Sequence, residues 1–311
     1  MTSTSNTPGT PISAKIAQFA GDGVGPDIAV EARKVLDAIT SRFGHTFSYD
    51  DMLVGGIAID AYGEAVRDED VEVARNADGV LLGAVGGPKW DDPNASVRPE
   101  QGLLKLRKSL GLFANLRPVA VMEQLVDATP LKPEYVRGTD LIVVRELTGG
   151  LYFGQPSKQW ADDQGRIAVD TMQYRDYEIE RVVRLAFDLA RTRRKKLTSV
   201  DKANVLSTSR LWRTIVTEIA PDYPDVELEH MLVDVTTMRL LKQPSEFDVI
   251  VTENTFGDII TDEASVLGGS LGLMPSASLG EPDANGRRSG MYEPIHGSAP
   301  RHAGTGRANP T

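Results

Sequence analysis

Short apolar runs of strand character alternate along this chain with stripes of helical period, and that alternation most constrains its fold. Residues 14–20 read as a strand. Ile28, Ala32, Val35, Leu36 and Ile39 then mark one helical face, with Pro26 near its start. Further strand-like runs cover 79–85, 140–144, 197–200, 226–233 and 247–252, and Ile179, Val182, Val183, Ala186, Phe187 and Ala190 trace a long amphipathic helix. Strands interleaved with helices predict α/β layering. A chain of 311 residues exceeds the ~250–300 at which one core stops growing, so two domains are expected. The turn Gly21-Asp22-Gly23-Val24-Gly25-Pro26 follows the first strand. It departs from the G-x-G-x-x-G spacing of a dinucleotide fingerprint, which argues against a classical Rossmann fold.

Charge and composition narrow the function. A net charge of −10 is unlike the basic face of a nucleic-acid binder. Zero cysteines exclude disulfides, thiolate zinc sites and cysteine nucleophiles, and fit a cytoplasmic location. No apolar run approaches the ~18 residues of a membrane span. Residues 1–13, rich in Ser, Thr and Pro, read as a flexible leader rather than a targeting segment.

Several motifs carry chemistry. Asp258 and Asp262 stand four residues apart after the 247–252 strand and open a helix, with Asp234 upstream. At i and i+4 the pair shares a helix face, where like charges repel unless a cation lies between them. The same acids also suit the positive end of a helix dipole, so spacing alone leaves both readings open. Glu100, Leu103, Leu104 and Arg107 fall at i, i+3, i+4 and i+7, a mixed face suited to a ligand that is part hydrocarbon and part carboxylate, or to the core. Arg117 and Arg145 lie in or beside strand-like segments, and each could form a carboxylate fork or a surface ion pair. Lys202 ends a strand and Tyr152 lies in a glycine-flanked turn; each could move a proton or simply pack. His296-Gly297-Ser298-Ala299-Pro300 forms a small-residue loop whose N–H groups could approach a phosphate. The cations Arg191, Arg193, Arg194, Lys195 and Lys196 are explained by a helix C-terminus.

Together these strings resemble the metal-dependent β-decarboxylating dehydrogenases, the isocitrate/isopropylmalate family, from about Lys15 to Pro310. The specific segments are Ser96-Val97-Arg98-Pro99-Glu100-Gln101-Gly102-Leu103-Leu104, Asp201-Lys202-Ala203-Asn204-Val205-Leu206, Phe256-Gly257-Asp258-Ile259 and Met274-Pro275-Ser276-Ala277-Ser278-Leu279. The resemblance implies two α/β domains sharing a large mixed sheet: residues 14–112 plus 269–311 on the cofactor side, and 113–268 for dimerisation, metal and substrate. It implies that Arg107, Arg117 and Arg145 grip malate carboxylates, and that Asp234, Asp258 and Asp262 hold Mg²⁺ or Mn²⁺. Lys202 would accept the hydroxyl proton and Tyr152 would help protonate the enolate. The active site would span a homodimer, with the equivalents of Lys202 and Asp234 coming from the second copy.

Glu100, Leu103, Leu104 and Val205 match the isopropylmalate pattern, since a leucine pair would leave the further carboxylate of isocitrate unpaired. The expected reaction is therefore oxidative decarboxylation of 3-isopropylmalate, as in leucine biosynthesis. Related activities on D-malate, tartrate or homoisocitrate, or a silent relative, are the alternatives. His296, Gly297, Ser298, Ala299, Pro300, Arg301, His302, Ala303 and Asn309 match the loop for the adenosine end of NAD. Arg301-His302 replaces an Asp-Ile pair typical of NAD users and is closer to the Lys-Tyr of NADP users, so NADP is also expected to be usable. Relatives continue for several tens of residues past Asn309-Pro310, so the cofactor-side domain is expected to be cut short here.

Overall fold

The computed structural model describes residues 11–92, 95–284 and 286–308, so most of the expected leader, residues 1–10, and Asn309 lie outside the described residues. The strands are β1 (Ser13–Gly21), β2 (Thr46–Met52), β3 (Gly79–Ala84), β4 (Ala114–Ala120), β5 (Asp140–Glu146), β6 (Lys158–Asp162), β7 (Gly165–Val169), β8 (Lys196–Asp201), β9 (Glu227–Leu232), β10 (Val249–Thr252), β11 (Pro275–Pro282) and β12 (Arg288–Pro294). The helices are α1 (Gly25–Phe43), α2 (Gly56–Tyr62), α3 (Asp68–Arg75), α4 (Glu100–Ser109), α5 (Pro133–Val136), α6 (Asp176–Arg191), α7 (Ser207–Ile219), α8 (Val233–Lys242) and α9 (Asn254–Ser265). The chain is α/β and divides into two compact units, one from Met1–Gly111 with Pro282–Thr311, the other Leu112–Glu281.

In the first unit the strand order is β2-β1-β3-β12, with β1 parallel to both β2 and β3, and β12 parallel to β3. Ala17, Phe19, Val80 and Leu82 point into its core. Gly23 has φ +59°, and a Cβ there would lie 2.0 Å from the Ser298 carbonyl oxygen, which accepts the Val24 N–H at 2.8 Å. The buried Asp22 carboxylate accepts N–H bonds from Gly56, Ile57 and Gly86, each at 2.8 Å. These glycines therefore serve close packing. One expectation needs correction. Of the α1 stripe, Ile28 is buried but Val35 is 61% exposed, because periodicity names a face without supplying the surface that covers it. The connection between the last two strands is short, since β11 runs to Pro282 and β12 begins at Arg288. The Asp283 carbonyl accepts from Gly286 N and the Arg287 carbonyl accepts from Asp283 N, closing that turn.

In the second unit the order is β11-β4-β5-β10-β8-β9. β4 is antiparallel to β5 and β11, while β5, β10, β8 and β9 run parallel. All four residues of β10 are buried, as a strand covered on both faces requires. α6 buries Ile179, Val182, Val183, Ala186, Phe187 and Ala190 against this core, and α7 adds Trp212, Ile215, Val216 and Ile219. Trp212 is 2% exposed and its indole N–H donates to Ser199 Oγ at 3.1 Å. Trp212→Ala leaves a large cavity and an unmatched hydroxyl, so urea unfolding is expected to show a loss of about 3–5 kcal/mol. The basic run after α6 is ion-paired: Arg193 to Asp140 and Asp248, and Arg191 to Asp225.

Candidate active site

The site residues divide between the two units. In the second, adjacent antiparallel strands carry two buried arginines, Arg117 on β4 and Arg145 on β5. α9 follows β10 directly and starts under the cap of Glu253, whose carboxylate accepts the N–H groups of Thr255 and Phe256. That start places Asp258 and Asp262 one turn apart on one face. Arg117 Nη1 reaches Asp262 at 3.3 Å and Thr261 Oγ1 at 2.7 Å, while its Nε donates to Asn115. Arg145 Nη1 pairs with Asp258 Oδ1. The like charges at i and i+4 are thus each met by an arginine.

Tyr152 ends a turn of 3₁₀ helix, and its hydroxyl donates to Asp258 Oδ2 at 2.8 Å. Partial burial, and then the Asp258 carboxylate, push this phenol up to about 12. The group is therefore a neutral O–H through ordinary working pH. A raised phenol stabilises the fold fully below its ordinary value of 10, and that contribution is lost as pH climbs toward 12. In EDTA-treated protein, Tyr152→Phe is expected to flatten the stability curve over that window; an unchanged curve would contradict the contact.

Lys202 follows β8 and donates to Asp234 Oδ1 at 2.5 Å. Asp234 lies in the first turn of α8, and the Lys202 ammonium lowers its carboxyl below the usual range. Val205 is 61% exposed in the turn after Lys202. Among the described residues no three His, Cys, Asp or Glu side chains are grouped to hold an ion. Within one chain, then, Asp234 stands apart from Asp258 and Asp262. The α9 pair still fits a divalent cation. Hard ions of this kind bind through one or two carboxylates and complete their shell with water and substrate oxygens, and both side chains keep exposed oxygen surface with lone pairs to spare.

In the first unit, α4 buries Gly102 and Leu106 and leaves Leu103 and Leu104 half-buried and Glu100 exposed. Arg107 is buried and donates through Nη2 to Glu293 Oε1 of β12 at 2.6 Å. Among the described residues its Nε has no hydrogen-bond partner, a polar group suited to a ligand oxygen. A cavity of about 460 Å³ brings Glu100 together with Gly297, Ser298 and Pro300 of the small-residue loop, and Trp90 and Arg98 line it too. Ser298 is buried, whereas Arg301 and His302 are exposed on a short turn. A Cβ on Gly297 would meet nothing within 4 Å, so that backbone is open to a ligand. Sequence reasoning missed Glu293, Trp90, Asn254 and Tyr174 as neighbours of this chemistry. Only Asn254, directly before the aspartate helix, carried a local signal.

Comparison with known proteins gives the same class. The family model for isocitrate/isopropylmalate dehydrogenase matches residues 15–311. The 3-isopropylmalate dehydrogenase of Anaeromyxobacter dehalogenans (strain 2CP-C) is 58% identical over 96% of this chain and 83% of its own length. That of Bacillus subtilis (strain 168) is 54% identical over 95% and 80%. Among solved structures, isocitrate dehydrogenase from Methylococcus capsulatus superposes with TM-score 0.81 at 35% identity, covering 96% of this chain and 81% of that one. The chain belongs to the isocitrate/isopropylmalate dehydrogenase family. Dehydrogenases of this family use a nicotinamide cofactor and require a divalent metal.

Proposed function

We propose that this protein oxidatively decarboxylates (2R,3S)-3-isopropylmalate to 4-methyl-2-oxopentanoate and CO₂ while reducing NAD, the step that serves leucine biosynthesis. The observation that carries the reading is the hydrogen-bonded set on α9: Tyr152 and Arg145 on Asp258, and Arg117 on Asp262. That set supports reading Arg117 and Arg145 as carboxylate-binding forks, Tyr152 as a neutral proton donor and the α9 pair as a cation site.

Arg107, Arg117 and Arg145 bind the two malate carboxylates, and Leu103, Leu104 and Val205 cover the isopropyl group, with Glu100 at the cofactor end. Each methylene-sized change in that side group alters recognition by roughly 1–3 kcal/mol. Lys202, acting as the neutral amine, takes the C2 hydroxyl proton. A divalent ion (Mg²⁺ or Mn²⁺) would be held by Asp258 and Asp262 together with Asp234 from the second copy, and would supply Lewis-acid stabilisation of the charge that develops, while NAD, seated at the loop from His296 to Ala303, would supply the acceptor for the C2 hydride. The C3–carboxylate bond then breaks to release CO₂, and Tyr152 delivers a proton toward C3. The proton lost at the hydroxyl balances the one gained at carbon.

The protein acts as a homodimer. Asp234 and Lys202 pair with each other away from the α9 acids of their own chain, which supports their serving a second copy. The exposed Met238 and Leu241 of α8 and Ile259 of α9 supply an apolar contact surface. No helix among the described residues is long and apolar enough to cross a membrane, and we place the protein in the cytoplasm.

The test is NADH formation from 3-isopropylmalate with Mn²⁺ and with EDTA, on protein sized by light scattering. Dimeric, EDTA-sensitive turnover is expected. Turnover on D-malate, tartrate or homoisocitrate with none on 3-isopropylmalate would sink the substrate assignment. NAD is the preferred acceptor and NADP is also used, because Arg301 and His302 can meet a 2′-phosphate. Arg301→Asp is expected to lower kcat/KM for NADP about tenfold and leave NAD within twofold; an unchanged ratio would remove Arg301 from cofactor choice.

A further inference from the structure

Arg145 meets more than Asp258. Its Nε and Nη2 both donate to Asn254 Oδ1, at 3.0 and 2.8 Å. Asn254 is 1% exposed, and it is held at two further points, one on the side-chain amide and one on the backbone. Its Nδ2 donates to the Gly149 carbonyl at 3.1 Å, and its backbone N–H donates to the Tyr174 hydroxyl at 2.9 Å. Tyr174 is buried in turn, donates to Glu253 Oε2 at 3.3 Å, and presses its ring on Gly149, where a Cβ would come within 2.6 Å. Glu253 is the cap of α9. The stem of Arg145 lies on the same helix at Gly257, where a Cβ would meet Arg145 Cγ at 2.5 Å.

We propose that Asn254 is a positioning residue that sets the plane of the Arg145 guanidinium, with Tyr174 and Glu253 locking Asn254 itself. A guanidinium binds a carboxylate bidentately only when its plane contains both oxygens, so orientation converts directly into affinity. One acceptor taking both Nε and Nη2 fixes rotation about the last side-chain bond. The same segment that starts α9 therefore aims the arginine and sets out Asp258 and Asp262. The substrate part of this inference rests on Arg145 gripping a malate carboxylate.

The experiment compares the wild type, Asn254→Ala, Arg145→Lys and the double variant on the full chain. Asn254→Ala is expected to raise KM for 3-isopropylmalate about tenfold and leave KM for NAD within twofold. In the Arg145→Lys background, which lacks the planar fork, it should add less than about twofold. Equal effects on both substrates, or full additivity, would overturn the proposal, since a purely structural loss acts that way.

A second readout is independent of turnover: solvent exchange of the Arg145 Nε–H by NMR, assigned through Arg145→Lys. It should quicken about tenfold or more in Asn254→Ala, and unchanged exchange would overturn the proposal even if the substrate is something else. Should Asn254→Ala fail to fold, Tyr174→Phe removes the hydroxyl on which Asn254 rests. It should shift KM and exchange in the same directions by about threefold; no shift would refute the lock.

Discussion

Replacing Lys202 with methionine is expected to lower kcat for 3-isopropylmalate by about 10²–10⁴-fold, with KM changing far less. The side chain follows β8 and is a quarter exposed, held by Asp234 at 2.5 Å. Methionine keeps most of the length and apolar stem but cannot take a proton, so the loss falls on the step in which the C2 hydroxyl is deprotonated. A base present only for the transition state affects kcat, whereas a cation that merely holds a carboxylate affects KM. The measurement is steady-state NADH formation at saturating NAD and Mn²⁺. A tenfold rise in KM with kcat intact would make Lys202 a binding cation. Stability should move little, because Asp234 is more than half exposed and water screens the pair.

The second large effect is at Asp258. Asp258→Asn is expected to weaken Mn²⁺ binding on the order of 100-fold and to take turnover with it. The carboxylate accepts from Arg145 and from Tyr152, so the variant removes a cation ligand and the partner of two neighbours at once. An amide keeps one carbonyl acceptor but loses the charge, and for a hard divalent ion the charge dominates. Calorimetric titration with Mn²⁺ separates the effects. Affinity within threefold of the wild type would place the ion elsewhere, while lost turnover with intact affinity would assign Asp258 to Arg145 and Tyr152 alone.

Much of the scaffold was legible from local pattern. The 3.6-residue stripe from Ile179 to Ala190 is buried over the stated residues, and the strand-like runs at 79–85, 140–144 and 247–252 correspond to β3, β5 and β10. The same local logic put Asp258 and Asp262 on one helix and Arg117 and Arg145 on strands. It failed at α1, where Val35 is exposed, and it named no strand at β12. β12 is a strand by virtue of pairing with β3, a partner some two hundred positions earlier that no window of sequence contains.

Within the candidate site the division is similar. Residue type and spacing determined which groups can carry charge, donate protons or bind oxygen, because those properties belong to single side chains and to the geometry of one helix turn. Tertiary structure alone decided who meets whom. Arg107 faces Glu293 across 186 positions, Asn254 receives both donors of Arg145, and Asp234 turns to Lys202 rather than to the α9 acids. Such contacts arise where distant surfaces are buried together, and the free energy that selects them is summed over the whole packed core rather than any local run.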